Sequence, residues 1–489
     1  MMLPFQSRRR FLKAAALVIT SGVLAACANT PSPTSAPASA PPTGAAQKPT
    51  APAPVAATES KPNVGAAAPP AGKPSTSGGG LSGTIELYFP RTAVCRLCAS
   101  VDTWNQENPN AKVVDKDVPW NSDKQLAALA AGQGGPDLYQ SDPQEVQRDM
   151  LGRKLLDVSD AIQPAADQYL KYKVEQFRHA KTGKIYAFPW QVAMSVMYYR
   201  EDILKKLGMT QFPTGWTWDE HEGLAEKAKK DLNLNTCWVG AGLNDKDTTL
   251  FCEMLWQSGG SIVTQDGSDV LLDSPASIEV MTRLQRWWKK GLLFEGSFYT
   301  PPLWSAMREG ILWSTTDVSA FMLGMRDNIT KPEDHVGDWR VAPMPAYVKG
   351  GARTAGEGGG GLAAPAHTKN PDLVKAFGKF TTTDLRATMP TMQQGTVLSA
   401  ISSFTDSKAL DITFSVTGPQ KVHQVYAELI KEMPNTYYLS PGWAEVRHIL
   451  AQAMLSVVRG ESDATQGMRK IAQDARKVNE RWVKLLAQE

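Results

Sequence analysis

The chain has 489 residues, 42% of them apolar and 21% charged, with a formal net charge of +3. Four positive charges, Arg8, Arg9, Arg10 and Lys13, lie at the extreme N-terminus; without them the net charge is near −1. Setting aside Lys48, Lys61 and Lys73 against Glu59 leaves the rest near −3, a surface that excludes nucleic acid as a partner.

The pattern Ser7-Arg8-Arg9-Arg10-Phe11-Leu12-Lys13 has the form of a twin-arginine export signal, and an apolar run from Ala14 to Ala26 follows it. That run is too short for a spanning helix, which takes about 20 apolar residues. It ends in Leu24-Ala25-Ala26-Cys27, the small-residue box of a lipoprotein signal. Residues 1–26 therefore read as a cleaved signal peptide. Cys27 becomes the lipidated N-terminus of an exported protein, anchored at the outer face of the cytoplasmic membrane. Residues 27–80 are that cysteine and a tether: Pro, Ala, Gly, Ser and Thr fill 44 of the 53 positions from 28 to 80. Such a segment cannot bury enough apolar surface to offset the entropy of ordering, so its composition predicts disorder.

From Leu81 onward the chain is longer than one hydrophobic core usually serves, so two lobes are expected. Thr84–Phe89 reads as a strand, Val101–Glu107 as a helix, and Lys112–Val118 as a strand. Asn121–Ala131 is a helix stopped by Gly132, and Asp137–Tyr139 a strand. This βαβαβ order opens an α/β lobe. Further on, Thr217-Trp218-Asp219-Glu220 is a capping box, Ser274-Pro275 and Asn370-Pro371 open helices, and Trp443–Glu489 is helical with a break near Gly460. The body holds four cysteines, Cys95 with Cys98 in a CxxC and Cys237 with Cys252. Outside the cytoplasm these read as two disulfides or as buried thiols, and bridging the second pair would contribute about 3 kcal/mol. A single CxxC with no second pair or nearby histidine is poor evidence for zinc.

Catalytic patterns are missing. The six histidines form no HExxH, and neither GxSxG nor GxxxxGK occurs, so no enzyme activity, metal or cofactor is expected. Gly356–Gly361 satisfies GxGxxG, yet Leu362-Ala363-Ala364-Pro365 follows as a strand where a dinucleotide site needs a helix N-terminus. Acidic pairs such as Glu201-Asp202 and Asp219-Glu220 begin helices, where the dipole favours them. Tryptophan is the informative residue type. Trp120, Trp190, Trp216 and Trp443 occupy loops or element ends, where an indole face suits stacking on a sugar ring; Trp238, Trp287, Trp288 and Trp482 read as core or flank.

The order of motifs resembles the extracellular solute-binding proteins of ABC importers, in the family that includes the maltose-binding protein, over residues 82–489. The resemblance rests on Leu126-Ala127-Ala128-Leu129-Ala130-Ala131-Gly132 with Pro136-Asp137-Leu138, on Gly183-Lys184-Ile185-Tyr186-Ala187-Phe188-Pro189, and on Tyr198-Tyr199-Arg200-Glu201-Asp202. It continues through Trp216–Glu220, Ala306–Gly310, Val341–Pro345 and Met433-Pro434-Asn435 leading to Trp443 and Arg447. It implies an α/β fold of the type II periplasmic-binding-protein kind, two lobes joined by three hinge crossovers with a ligand cleft between them. Mapped onto this chain, lobe I takes 82–193 and 317–359 and lobe II takes 199–313 and 364–489. The crossovers fall near Ala193–Tyr198, Ser314–Asp317 and the glycine run.

The resemblance also implies ligand-facing positions: Arg91, Trp120, Ser141, Asp142, Trp190, Gln191, Asp247, Thr316, Asp317, Glu357, and Trp443 with Arg447 on one helix face. Maltose binders carry a glutamate where this chain has Ala193, which speaks against maltodextrin itself. The implied function is a monomeric, membrane-anchored protein that captures a carbohydrate and delivers it to an ABC permease. The alternatives are a non-sugar solute in the same fold (polyol phosphate, polyamine or metal chelate), or a secreted polysaccharide-degrading enzyme. An enzyme needs two carboxylates about 5–9 Å apart in one cleft, for which Asp142, Asp247, Asp317 and Glu357 are the candidates.

Overall fold

The computed structural model describes residues 80–488, apart from 91–95, 120–121, 357, 396–397, 403–410 and 435–437. The chain divides into two units, Met1–Thr76 and Ser77–Glu489. The first lies outside the described residues, and so do the expected signal peptide, Cys27 and nearly all of the tether, with Arg91, Cys95, Trp120 and Glu357.

Thirteen strands are described. In chain order they are β1 (Gly83–Phe89), β2 (Ala111–Asp117), β3 (Leu138–Ser141), β4 (Ala187–Pro189), β5 (Gln191–Val192), β6 (Ser195–Arg200) and β7 (Asn235–Thr236). Then come β8 (Trp238–Gly240), β9 (Phe294–Gly296), β10 (Leu312–Val318), β11 (Trp339–Ala342), β12 (Gly361–Ala363) and β13 (Leu398–Ser399). The first sheet has the order β2-β1-β3-β12-β4, with β1 parallel to β2 and β3 and with β12 antiparallel to both its neighbours. The expected βαβαβ opening is present. Its second helix, Asp123–Ala131, starts where the Ser122 side chain accepts from the Gln125 amide, and stops at Gly132 with φ 65°.

The second sheet has the order β11-β6-β10-β7. Its central strands, Ser-Val-Met-Tyr-Tyr-Arg and Leu-Trp-Ser-Thr-Thr-Asp-Val, are buried almost throughout because both faces are covered. Val196 and Tyr198 point into a core continuous with that of the first sheet. Met197 and Tyr199 point the other way, into a second core holding Trp218, Trp256, Trp287 and Trp443. The expected capping box at Thr217 and Glu220 opens the helix Trp218–Leu232, and the C-terminal helices Trp443–Val458 and Ala464–Gln488 close the second core.

Sheet membership corrects the expected lobe boundaries. Residues 317–359 do not complete lobe I: β10 pairs with β6 from Ser314↔Tyr199 to Val318↔Ser195, and β11 pairs with β6 from the other side. Conversely β12 joins the first sheet, and the helices Pro371–Thr383 and Leu385–Gly395 pack beside β1 and the helix Cys98–Glu107. No crossing occurs at Ser314–Asp317, because five successive antiparallel pairs hold that stretch in one sheet. The chain passes between sheets at Ala193–Met194, at the glycine run, and after β13. Side-chain pattern alone does not tell a buried strand which sheet to join.

For the second cysteine pair, the structure takes the buried-thiol alternative rather than the disulfide. Cys98 is disulfide-bonded, and Cys95, the partner expected for it, lies outside the described residues. Cys237 and Cys252 are two separate buried thiols. Cys237 is held at φ 61° with its amide donating to Ser314 O at 2.8 Å, while Cys252 Sγ donates to Thr248 Oγ1 at 3.5 Å. Burial pushes the Cys237 thiol up to about 12.

The first two crossings run side by side. Met194 bridges Gly356, Ser195 N donates to Ala355 O at 2.8 Å, and the amides of Trp190 and Gln191 both donate to Gly360 O, at 3.3 and 3.0 Å. Gly359 sits at φ +83°, and a Cβ there would stand 2.5 Å from Gln191 O and 2.6 Å from Ala193 N. Gly359→Ala should therefore lower stability by about 2–5 kcal/mol, combining left-handed backbone strain with overpacking. Urea unfolding checks this, with Gly215→Ala, where a Cβ meets nothing within 4 Å, as the near-neutral control.

Candidate functional site

The C-terminal ends of β1, β3 and β4 point toward the crossings, which is where open α/β sheets place ligands. Phe89 ends β1 and meets Trp190 edge-on, with centroids 5.0 Å apart. The Arg96 guanidinium lies over both rings, 5.0 Å from Phe89 and 5.1 Å from Trp190. It donates Nη1 to Gln191 Oε1 at 3.4 Å and Nη2 to Gln140 Oε1 at 3.3 Å. Burial lowers its pKa to about 10, against the opposing charges of Tyr299 and Asp142, so the guanidinium stays charged at neutral pH. Asp142 is half-buried at the N-terminus of the helix Pro143–Asp149, its amide donating to Glu145 Oε2 at 2.7 Å.

Across the groove stands Tyr299, in the loop after β9. Its backbone holds φ 58°, the residue is 40% exposed, and its buried hydroxyl donates to Ala320 O at 2.9 Å. Phe298 at 4.3 Å and Trp304 at 5.3 Å support the ring from behind. Positive φ in a bulky residue persists only where the surroundings over-determine it. Asp247 supplies much of that determination. Its carboxylate accepts from the Ser297 hydroxyl at 2.8 Å, Phe298 N at 2.9 Å and Leu243 N at 2.7 Å.

A cavity of about 710 Å3 opens between the two sheets' halves, lined from one side by Gln147, Tyr172 and Gln176 and from the other by Gln265, Tyr438 and Leu439. None of the described residues expected at the site lines it. Behind its wall lies Lys173, fully buried. Its ammonium donates to Gln176 Oε1 at 2.7 Å, to Gly358 O at 3.0 Å and to Gly359 O. Burial pushes its pKa down to about 7, with the Asp142 charge acting in the other direction.

Residues 98–384 match the family of bacterial extracellular solute-binding proteins. The chain belongs to that family. It is 27% identical over 319 residues to an arabinooligosaccharide-binding protein of Halalkalibacterium halodurans, covering 63% of this chain and 69% of the relative. A protein of the same name from Bacillus subtilis is 24% identical, over 57% of this chain and 64% of its own length. The ABC transporter associated binding protein of B. animalis subsp. lactis, solved with β-1,6-galactobiose, superposes at a TM-score of 0.65 with 19% identity, over 82% of this chain and 98% of that one. The galacto-N-biose-/lacto-N-biose I-binding protein of Bifidobacterium longum reaches 0.67 with 17% identity, over 84% of this chain and 99% of that one. At these identities the structural likeness shows the fold, a two-lobed type II periplasmic-binding-protein architecture.

Within this solute-binding protein, Trp190 and Gln191 touch Arg96, the Asp142 charge reaches it, and Ser141 lies beside Asp142 at the end of β3. Apart from the half-buried Asp142, every described residue expected to face a ligand is buried. Asp247 is 2% exposed with its carboxylate engaged in bracing the Tyr299 loop, and Thr316 and Asp317 are enclosed within β10, Asp317 accepting from Val318 N at 2.8 Å. Trp443 and Arg447 do share a helix face, but it is the core-facing one. Val446, Leu450 and Met454 extend the same buried stripe, and Arg447 Nε donates to Thr248 Oγ1 at 2.7 Å. Arg96, Lys173 and Tyr299 were not anticipated. Arg96 sits inside the CxxC, and Tyr299 lies just before Pro301-Pro302. Asp247→Ala should destabilise the ligand-free chain by about 2–5 kcal/mol in urea unfolding, because buried donors lose their acceptor. An unchanged midpoint would return Asp247 to a purely ligand-facing role.

Proposed function

We propose that this solute-binding protein captures a carbohydrate in the groove between its lobes, closes on it, and delivers it to the permease of an ABC transporter. It does so as a monomer, exported by the twin-arginine signal and held at the outer face of the cytoplasmic membrane by lipid on Cys27. One observation carries the ligand class: a guanidinium stacked on two aromatic rings and bonded to two side-chain amides, with the partly exposed Tyr299 nearby. Sugar rings offer C–H faces to aromatic planes and pairs of hydroxyls to guanidinium and amide groups. The neighbouring cavity has a volume in the range that small ligands occupy. Relatives named for arabinooligosaccharide binding support the same class.

Thermal-shift screening of the chain against a sugar panel tests the reading. A sugar at about 100 times its Kd adds about 2.7 kcal/mol of stability, and a binding protein returns it unhydrolysed. Tyr299→Ala should then weaken binding about 5- to 150-fold, the loss of one stacking platform. Calorimetric affinity measured beside ligand-free melting decides it, since a drop in melting temperature with normal affinity would mean that the ring only packs. For the anchor, Cys27→Ser should release the protein from salt-washed membranes. Retention in the membrane pellet would exclude lipid on Cys27 as the attachment.

A further inference from the structure

We propose that Lys173 is a positioning residue that ties the wall of the interlobe cavity to the glycine crossing and so fixes the geometry in which the groove closes. This rests on the carbohydrate-capture reading for its purpose, though not for its geometry.

An ammonium group has three N–H donors, and here each has an acceptor: Gln176 Oε1, Gly358 O and Gly359 O. The first acceptor belongs to a residue that lines the cavity; the other two belong to the chain segment passing between sheets. One residue further along, Gly360 O takes the amides of Trp190 and Gln191, whose side chains hold Arg96. A continuous path of short polar contacts thus runs from the cavity wall through Lys173 and both crossings to the Arg96 corner. The Phe177 ring lies 5.2 Å from the ammonium, and Asp142 is the carboxylate that faces it through space. A buried ammonium is expensive to desolvate, and its three hydrogen bonds offset that cost. Three acceptors drawn from two separate segments are what lysine adds over methionine at this place. The crossing needs such a tie: Gly358 and Gly359 both hold positive φ, and no Cβ at Gly358 would touch anything within 4 Å. With no side chain of its own to pack, that backbone takes its position from the groups that bond to it.

Lys173→Met in the full chain tests the proposal. The variant should fold with a lower urea midpoint, because three buried acceptors lose their donor. Amide hydrogen exchange without sugar should be at least about tenfold faster over residues 358–361 and at Trp190 and Gln191, the signature of an untied crossing. Affinity for arabinotriose should fall about tenfold. A merely structural lysine lowers the midpoint but leaves wild-type exchange at the crossing, and that result overturns the proposal. Should Lys173→Met not fold, Gln176→Leu cuts the same path at the cavity end. Faster exchange at 358–361 then supports the tie, and unchanged exchange overturns it. Because the exchange measurement contains no sugar, it separates the two readings: a wild-type chain that ignores arabinotriose and the whole panel, yet shows the exchange change on mutation, would remove the carbohydrate reading and leave the tie standing.

Discussion

Two stretches of backbone pass between the sheets in contact with each other, and no side chain fits between them. A Cβ on Gly359 would lie 2.5 Å from Gln191 O, inside any real contact distance, while Gly360 O accepts both neighbouring amides of the other stretch. The glycine run is therefore more than a loose segment. Its first requirement is close approach, which only glycine meets. Because Trp190 and Gln191 are registered through their backbone amides, their side chains are delivered to the Arg96 corner by the crossings themselves. Ligand chemistry and the geometry between lobes share the same few peptide groups.

The corner is electrically unusual. Arg96 and Lys173 are both buried on the same side of the groove, and the carboxylate whose charge reaches both is the half-buried Asp142. Rings replace a second carboxylate: cation–π contact with a desolvated guanidinium contributes about 2 kcal/mol, and two rings share that role. Arg96 stays cationic despite burial, whereas Lys173 sits near the middle of the physiological range. The charge on Arg96 makes the surroundings hostile to a polyamine. A neutral polyhydroxylated ligand meets no such repulsion, and its hydroxyls can accept from the guanidinium while its ring faces lie on aromatic carbon.

The local architecture was readable from sequence because its signals are local. The capping box at Thr217 and Glu220, Gly132 in the left-handed region, proline at the starts of Pro275–Lys289 and Pro371–Thr383, and the break near Gly460 each act within a few residues. Sheet assignment was not readable in the same way. β10 and β12 are buried strands with no signal for which sheet they join, and only long-range pairing separates them. Of the expected site residues, Ser141, Asp142, Trp190 and Gln191 lie at or beside strand ends, a position that sequence can mark, whereas spacing put Trp443 and Arg447 on one face without saying that the face looks inward. Arg96 and Lys173 gave no sign, because a buried cation is recognised by its surroundings and those come from distant parts of the chain.

Tyr299 shows how such surroundings are built for a purpose. A left-handed backbone costs a non-glycine residue about 1–2 kcal/mol, and nothing in Ser297-Phe298-Tyr299 favours it locally. The conformation is imposed from behind, by the Asp247 carboxylate on Ser297 and Phe298, and from the side, by the Tyr299 hydroxyl on Ala320 O. Leaving the residue 40% exposed after fixing its backbone, its hydroxyl and the aromatic residues beneath it is poor economy for core packing. It is good design for a stacking surface, since a ring already immobilised loses little further freedom when a ligand lies on it. The carboxylate that the resemblance offered as a ligand contact thus acts one layer back, through the residue that the ligand would meet.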